Sequence, residues 1–142
     1  MPNLSDDDKI RFEECHQIIG CAFKVYNQLG HGFLEQVYQC ALEIELKHAG
    51  IPFEAQKQIP VYYLGEKLDA YYKADILCFD KVIVELKADY SLSDVHEAQL
   101  INYLKATGIQ AGILINFGNR RKLEFKKIVF TNTRYVNNEL KQ

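Results

Sequence analysis

The stretch Val82-Ile83-Val84-Glu85-Leu86-Lys87 constrains this chain more than any other. Three successive β-branched apolar residues suit a strand covered on both faces. Glu85 and Lys87 continue the run without a turn signal, and strand alternation puts them on one face. The preceding segment, Tyr72 to Phe79, reads as its antiparallel partner and brings Asp75 between apolar neighbours. Carboxylates and an ammonium at covered strand centres are costly unless they pair with one another or hold a metal. Two readings follow. Lys87 forms a buried ion pair with Asp75 or Glu85, which contributes little to stability. Alternatively, Asp75 and Glu85 offer oxygens to a hard divalent cation such as Mg2+, which takes one or two carboxylates plus waters and substrate phosphate. Lys87 would then hold or activate a water beside that ion.

Register discriminates between outcomes. Directly opposed residues of an antiparallel hairpin point to the same face. A two-residue Asp80-Lys81 loop would set Asp75 against Leu86 and turn Glu85 away. A three-residue Phe79-Asp80-Lys81 connection sets Cys78 against Val82, Ile76 against Val84 and Asp75 against Glu85, with Lys73 against Lys87. The shared site therefore requires an odd-length connection or a β-bulge, with Asp80 or Lys81 at positive φ.

Length and composition exclude several classes. The 142 residues are expected to form one domain over 1–142: helices in 5–50, a sheet core in 53–131 and a polar tail in 132–142. A net charge of −2 argues against a protein that coats nucleic acid nonspecifically, while leaving room for a local basic patch. No apolar stretch approaches about 18 residues, so no membrane span is expected. The acidic start MPNLSDDDK lacks the apolar core of a signal peptide. Cys15, Cys21, Cys40 and Cys78 show no C-x-x-C pairing and suit core thiols in a reducing cytoplasmic setting. There is no zinc-ligand spacing, G-x-G-x-x-G or Walker loop.

The remaining elements follow from periodicity. A first helix starts at Ser5, with Asp8 in a capping-box-like position, and stops at Gly30. A second runs from about Leu34 to His48 on an apolar stripe of Leu34, Val37, Tyr38, Ala41, Leu42, Leu46 and Ala49. At about 100° per residue Glu35 falls inside that sector, and Glu43 and Lys47 point away. Glu35 reads either as an acid favoured by its helix dipole or as a third carboxylate of the site. Phe53 to Tyr63 and Leu68 to Phe79 read as strands joined by a Leu64-to-Lys67 turn, with Pro60 tolerable near an edge. Tyr62, Tyr63, Tyr71 and Tyr72 suit cross-strand packing, with base stacking as the alternative. A third helix begins at Ser91 or Ser93 and stops at Gly108. Its core face is Val95, Ala98, Ile101 and Leu104, and His96, Gln99 and Tyr103 form a separate stripe. Ala111 to Phe117 is a buried strand parallel to its predecessor, and Phe125 to Thr131 is the last strand. Arg120, Arg121 and Lys122, with Lys126 and Lys127, form the basic cluster, suited to phosphates or to a solvated loop.

Ala74-Asp75 with Glu85-Leu86-Lys87 resembles the core of the PD-(D/E)xK nuclease superfamily. Gly32-Phe33-Leu34-Glu35-Gln36-Val37-Tyr38 matches G-x-x-E-x-x-Y, so the chain also resembles the GxxExxY proteins placed in that superfamily. Tyr72 to Asp75, Val82 to Ala88 and Asn116-Phe117-Gly118 resemble that family too, and the likeness spans about Ile10 to Phe130. Gln99 and Tyr103 resemble the Q-x-x-x-Y element that follows E-x-K in several such nucleases. The resemblance implies an α/β (α+β) restriction-endonuclease-like core, a mixed five-stranded sheet flanked by helices in the order ααβββαββ. It implies a Mg2+- or Mn2+-dependent nuclease acting on DNA or RNA, with Asp75, Glu85 and the Leu86 carbonyl as metal ligands. Glu35 would join through a metal-bound water or a second ion, Lys87 would orient or deprotonate the attacking water, and Gln99 and Tyr103 would position Lys87 or the phosphate. The competing reading is a nuclease-fold module that binds nucleic acid or protein without turnover. So small a domain offers little surface to hold a duplex alone, which favours a homodimer.

Overall fold

A computed structural model describes Ser5 and residues 9–131 and 134–135. A π-helical turn, Ile10–Glu14, leads into α1 (Cys15–Leu29), and α2 spans Glu35–His48. β1 (Phe53–Tyr63) and β2 (Glu66–Cys78) make a long hairpin, followed by β3 (Val82–Lys87). Then come α3 (Asp94–Thr107), β4 (Ala111–Asn116) and β5 (Glu124–Thr131). The order is the expected ααβββαββ, with a two-residue strand β6 (Arg134–Tyr135) added at the end. Asp8, the other half of the expected N-terminal cap, lies outside the described residues, as does the tail apart from β6.

The strands stand side by side in sequence order. All neighbours are antiparallel except β3 and β4, which run parallel across α3 as their apolar runs predict. Both central strands need cover on two faces. Ile76, Cys78, Val82, Val84, Leu86, Ile113 and Ile115 pack under α1 and α2. Leu77, Ile83 and Leu114 pack with Leu100 and Leu104 of α3 on the other side. Cys15, Cys21 and Cys78 lie in the first layer, where desolvation pushes the Cys78 thiol up to about 12; Cys40 is exposed.

Three side-chain assignments differ from the sequence pattern. Leu34 and Val37 are 78% and 39% exposed, because the first turn of α2 overhangs the end of the sheet. In α3 the buried residues are Leu100 and Leu104, while Val95 is exposed. Apolar residues lie on several sides of that helix, and the two leucines offer more area than Val95 or Ala98. Of the four clustered tyrosines Tyr72 alone is buried; Tyr62, Tyr63 and Tyr71 are exposed. The hairpin turn is also tighter than expected. Tyr63 pairs with Glu66, leaving only Leu64 and Gly65 between them, both at positive φ.

The register between β2 and β3 is the one the shared site requires. Cys78 pairs with Val82, Leu77 with Ile83 and Ile76 with Val84, so three residues connect the strands. Phe79 and Asp80 take the left-handed conformation, at φ 56° and 59°, so the strained pair includes Phe79 and not Lys81. The Lys81 N–H closes the turn on the Cys78 carbonyl at 3.0 Å. Neighbours hold this geometry: the Phe79 N–H donates to the Pro52 carbonyl at 2.9 Å, and Lys81 pairs with buried Glu14 at 3.1 Å. Exposed Asp80 carries a left-handed backbone that glycine adopts freely. Asp80→Gly is expected to stabilise the protein by about 0.5–1 kcal/mol in denaturant melts, the left-handed penalty less the entropy of the glycine.

Candidate active site

Beyond Ile76 and Val84 the next opposed pair is Asp75 and Glu85, and here side chains replace the backbone ladder. The Leu86 N–H donates to Asp75 Oδ2 at 2.8 Å, and the Asp75 N–H reaches Glu85 Oε2 at 3.4 Å. The Tyr72 hydroxyl also donates to Glu85 Oε2. Among the described residues no hydrogen bond is made to Asp75 Oδ1 or Glu85 Oε1, so each carboxylate keeps an uncommitted oxygen.

Glu35 is the first residue of α2. It continues the buried stripe of Tyr38, Gln39, Leu42 and Leu46 by one turn beyond the sheet, so it lies at the exposed rim and not inside the apolar sector. Its carboxyl lies near the Ala88 N–H and comes under the influence of Lys87, Asp75 and Asp89. The entry to α2 explains this placement. Tyr38 is fully buried, stacks on Phe117 with centroids 4.6 Å apart, donates to the Gly30 carbonyl and accepts the Phe33 N–H at 3.2 Å. Gly32 between them stands at φ 108°, a conformation that suits only glycine. The spacing of Gly32, Glu35 and Tyr38 thus fixes where the helix starts, and with it the position of Glu35.

All three carboxyls are pushed above the ordinary carboxylate range. For Glu85 burial is the main cause and carries it to about 7, against the Asp75 N–H and Lys87, which favour the charged form. Burial also raises Asp75, opposed by the Leu86 N–H and Lys87. For Glu35 partial desolvation acts first, opposed by Lys87 and reinforced by Asp75 and Asp89. Lys87 acts on all three acids, yet among the described residues it comes within salt-bridge distance of none. The ion-pair reading of Lys87 is therefore not realised. Its ammonium stands beside the acids without being clasped by one.

Of the other expected residues, Tyr103 stacks on Tyr72 with ring centroids 3.8 Å apart and so reaches Glu85 through that ring. Gln99 does not join them. With Leu100 and Leu104 turned to the sheet it falls on the solvent side, and it makes no hydrogen bond among the described residues. Arg120, Arg121 and Lys122 are exposed in the loop after β4, where the Asn119 side chain accepts the Arg121 and Lys122 N–H groups. Because β3 and β4 run parallel, that loop lies at the same end of the sheet as Lys87. Lys126 and Lys127 belong to the middle of β5 and are separate from it.

Three contributors escaped the sequence reading. Tyr72 passed as packing. Asp89 continues the alternation of Glu85 and Lys87, a signal that was present; it pairs with His96 at 3.4 Å. Asn116 is fully buried. Its Oδ1 accepts the Asp89 and Gly118 N–H groups, and its Nδ2 donates to the Asp89 carbonyl and to Glu124, all at 2.9–3.1 Å. This amide clamps the chain just beyond Lys87. Gly118 allows the clamp to close, since a Cβ there would sit 2.2 Å from the Asp89 carbonyl oxygen.

The donor set suits a hard divalent ion: carboxylate oxygens with open lone pairs and raised proton affinity. Among the described residues no three His, Cys, Asp or Glu side chains converge as a ready-made cage. Mg2+ takes one or two carboxylates and keeps its remaining positions for water and phosphate, so two such ligands suffice.

A model of the PD-(D/E)XK nuclease superfamily matches residues 12–128. The chain belongs to the PD-(D/E)XK nuclease superfamily. Its mixed sheet and flanking helices are accordingly the restriction-endonuclease-like core. The crystal structure of SSO0001 is similar in fold, with a TM-score of 0.52 at 18% identity; the match covers 87% of this chain and 61% of that one. A comparison with curated proteins gives no match. No helix among the described residues is long and apolar enough to cross a membrane.

Two outcomes test the site without substrate. Burial pushes Glu85 up to about 7 in the folded protein, against an ordinary 4.5, so the folded protein binds the extra proton between those values. That contribution is complete below about pH 4.5 and is lost as pH rises through about 7, for a total on the order of 3 kcal/mol. Thermal melts in chelator should show this decline, and Glu85→Gln should flatten it and raise stability at neutral pH. Gly118→Ala should cost about 2 kcal/mol or more in denaturant melts, since its Cβ would meet backbone that cannot yield.

Proposed function

We propose that this protein is a Mg2+- or Mn2+-dependent nuclease that hydrolyses phosphodiester bonds in DNA or RNA, and that it is one of the GxxExxY proteins. The observation that carries the reading is the opposed, desolvated pair Asp75 and Glu85 with Lys87 unclasped beside it. In this proposal the chain acts as one nuclease-like unit, and a homodimer supplies the surface needed to hold a duplex.

Asp75 and Glu85, with the Leu86 carbonyl, would hold the ion, and Glu35 at the rim would reach it through a water. When bound there, such an ion would lower the pKa of a water and neutralise charge on the phosphate oxygens. The chain's own groups do the rest. Lys87 Nζ orients the attacking water. The Tyr72 hydroxyl, backed by Tyr103, holds Glu85 Oε2 and leaves Oε1 facing the site. Asn116 fixes the backbone that follows Lys87, so that its ammonium stays among the acids. Arg120, Arg121 and Lys122, at the same end of the sheet, meet the flanking phosphates.

Cleavage of plasmid, single-stranded DNA and RNA with Mg2+ or Mn2+ tests the proposal. Lys87→Ala is expected to lower the rate by about a hundredfold or more. Asp75→Asn should abolish the heat of divalent-ion binding in calorimetry. Binding of nucleic acid without cleavage, unchanged by either substitution, would instead identify a nuclease-fold module without turnover.

A further inference from the structure

Two glutamines, Gln39 and Gln56, stand in line behind the backbone of Asp75. β1 and β2 pair regularly at Ala55–Ile76 and again at Lys57–Ala74. Gln56, which should oppose Asp75, drops out of the ladder and stands at φ 55°, a left-handed conformation that a strand residue rarely adopts. Alternation breaks at the same level. Residues two apart on a regular strand share a face, yet Ala74 packs in the α3 layer and Ile76 in the α1–α2 layer. The strand is therefore kinked at Asp75.

The kink frees the backbone groups of Asp75 from ordinary sheet partners, and both find others. Its N–H turns to Glu85 Oε2, and its carbonyl accepts from Gln39 Nε2 at 3.1 Å. Gln39 projects from α2 and is only 6% exposed. Its Nε2 donates also to Glu43 at 3.2 Å, and its Oε1 accepts from Gln56 Nε2 at 3.0 Å. A primary amide has two N–H donors, so both are engaged and the carbonyl is occupied. The chain of contacts runs from the strained residue of β1, through a buried amide of α2, to the backbone of Asp75. Strain of this kind persists only where the surroundings over-determine it, and it gathers at functional sites.

We propose that Gln39 and Gln56 are positioning residues: together they hold the kink that aims the Asp75 carboxylate at Leu86 and across to Glu85. The proposal rests on reading Asp75 and Glu85 as the metal-binding pair. Groups of this kind behind a metal ligand govern its orientation, and their loss typically costs about 10- to 100-fold in affinity.

Gln56→Gly and Gln39→Met separate positioning from plain structural support. Glycine accepts φ 55° without strain, so Gln56→Gly should melt no lower than wild type while losing the amide that fixes Gln39. Mn2+ affinity by calorimetry should nevertheless fall about 10- to 100-fold in both variants. In metal-free protein the Leu86 amide, which donates to Asp75, should exchange with solvent about tenfold faster or more, with the amides of β4 unchanged. Folded variants with wild-type Leu86 exchange and wild-type Mn2+ affinity would overturn the proposal. If wild type binds no divalent ion, the metal-site reading fails by itself and Leu86 exchange alone decides the role of the glutamines. If Gln39→Met does not fold, Gln56→Gly decides it.

Discussion

The pairing register of β2 against β3 is the constraint on which the rest of the site depends. A slip of one residue along this pair would send Glu85 to the other face and bury it among α1 and α2. The register rests on a three-residue connection with two left-handed residues, neither of them glycine. Such a turn is held from outside. Lys81 reaches buried Glu14 on the π-helical turn, and Phe79 hangs from the Pro52 carbonyl. The N-terminal π-helical turn thereby acts on a site it does not touch. It fixes the far end of the hairpin, and the alternation of the strands carries that decision to Asp75 and Glu85.

Bringing carboxylates together under cover has a cost that the structure compensates only in part. Asp75 and Glu85 are both raised by burial, and among the described residues Lys87, which acts on both, comes within salt-bridge distance of neither. A fold selected for stability alone would place Lys87 in contact with an acid or replace the group with apolar side chains, which is often neutral or favourable in a core. Among the described residues the hydrogen bonds to these two acids come from Leu86 N–H, Asp75 N–H and Tyr72. They orient one oxygen of each carboxylate and leave the other open, the arrangement expected where a ligand completes the site.

Much of this was legible in the sequence, for particular reasons. The apolar runs of β3 and β4 announced covered strands, and polar residues inside such a run are few enough to be read one by one. Asp75, Glu85 and Lys87 stood out on that account, and counting residues across the turn showed which connection would bring the two acids together; the structure has that connection. Helix faces were less legible. α3 carries apolar residues on several sides, so periodicity found Leu104 but set Val95 and Ala98 beside it where packing selects Leu100, and Gln99 falls toward solvent. The supporting amides were less legible. Asn116 stood inside the buried run from Ala111 to Phe117, but its bonds to Asp89 could not be read from it. Gln39 and Gln56 act through contacts with residues distant in sequence, and nothing in their local pattern distinguishes them from surface residues.

The parallel step from β3 to β4 explains why acids and basic loop meet. In an antiparallel pair the chain leaving β4 would emerge at the opposite end from Lys87. Running parallel, the two strands end together, so the loop carrying Arg120, Arg121 and Lys122 starts beside the chain that carries Asp89. Close approach at that point needs a buried partner for the backbone groups that the ending strands leave unpaired. Asn116 supplies it, satisfying both the N–H and the carbonyl of Asp89, and the absent side chain of Gly118 gives it room. The Asn116-Phe117-Gly118 turn therefore has one physical task in three residues: Asn116 binds the chain after Lys87, Phe117 stacks on the Tyr38 that sets Glu35, and Gly118 lets the two strand ends touch. Through it the helix bearing the rim acid, the strand bearing the central acid and the lysine, and the basic loop are fixed to one another at a single edge of the sheet.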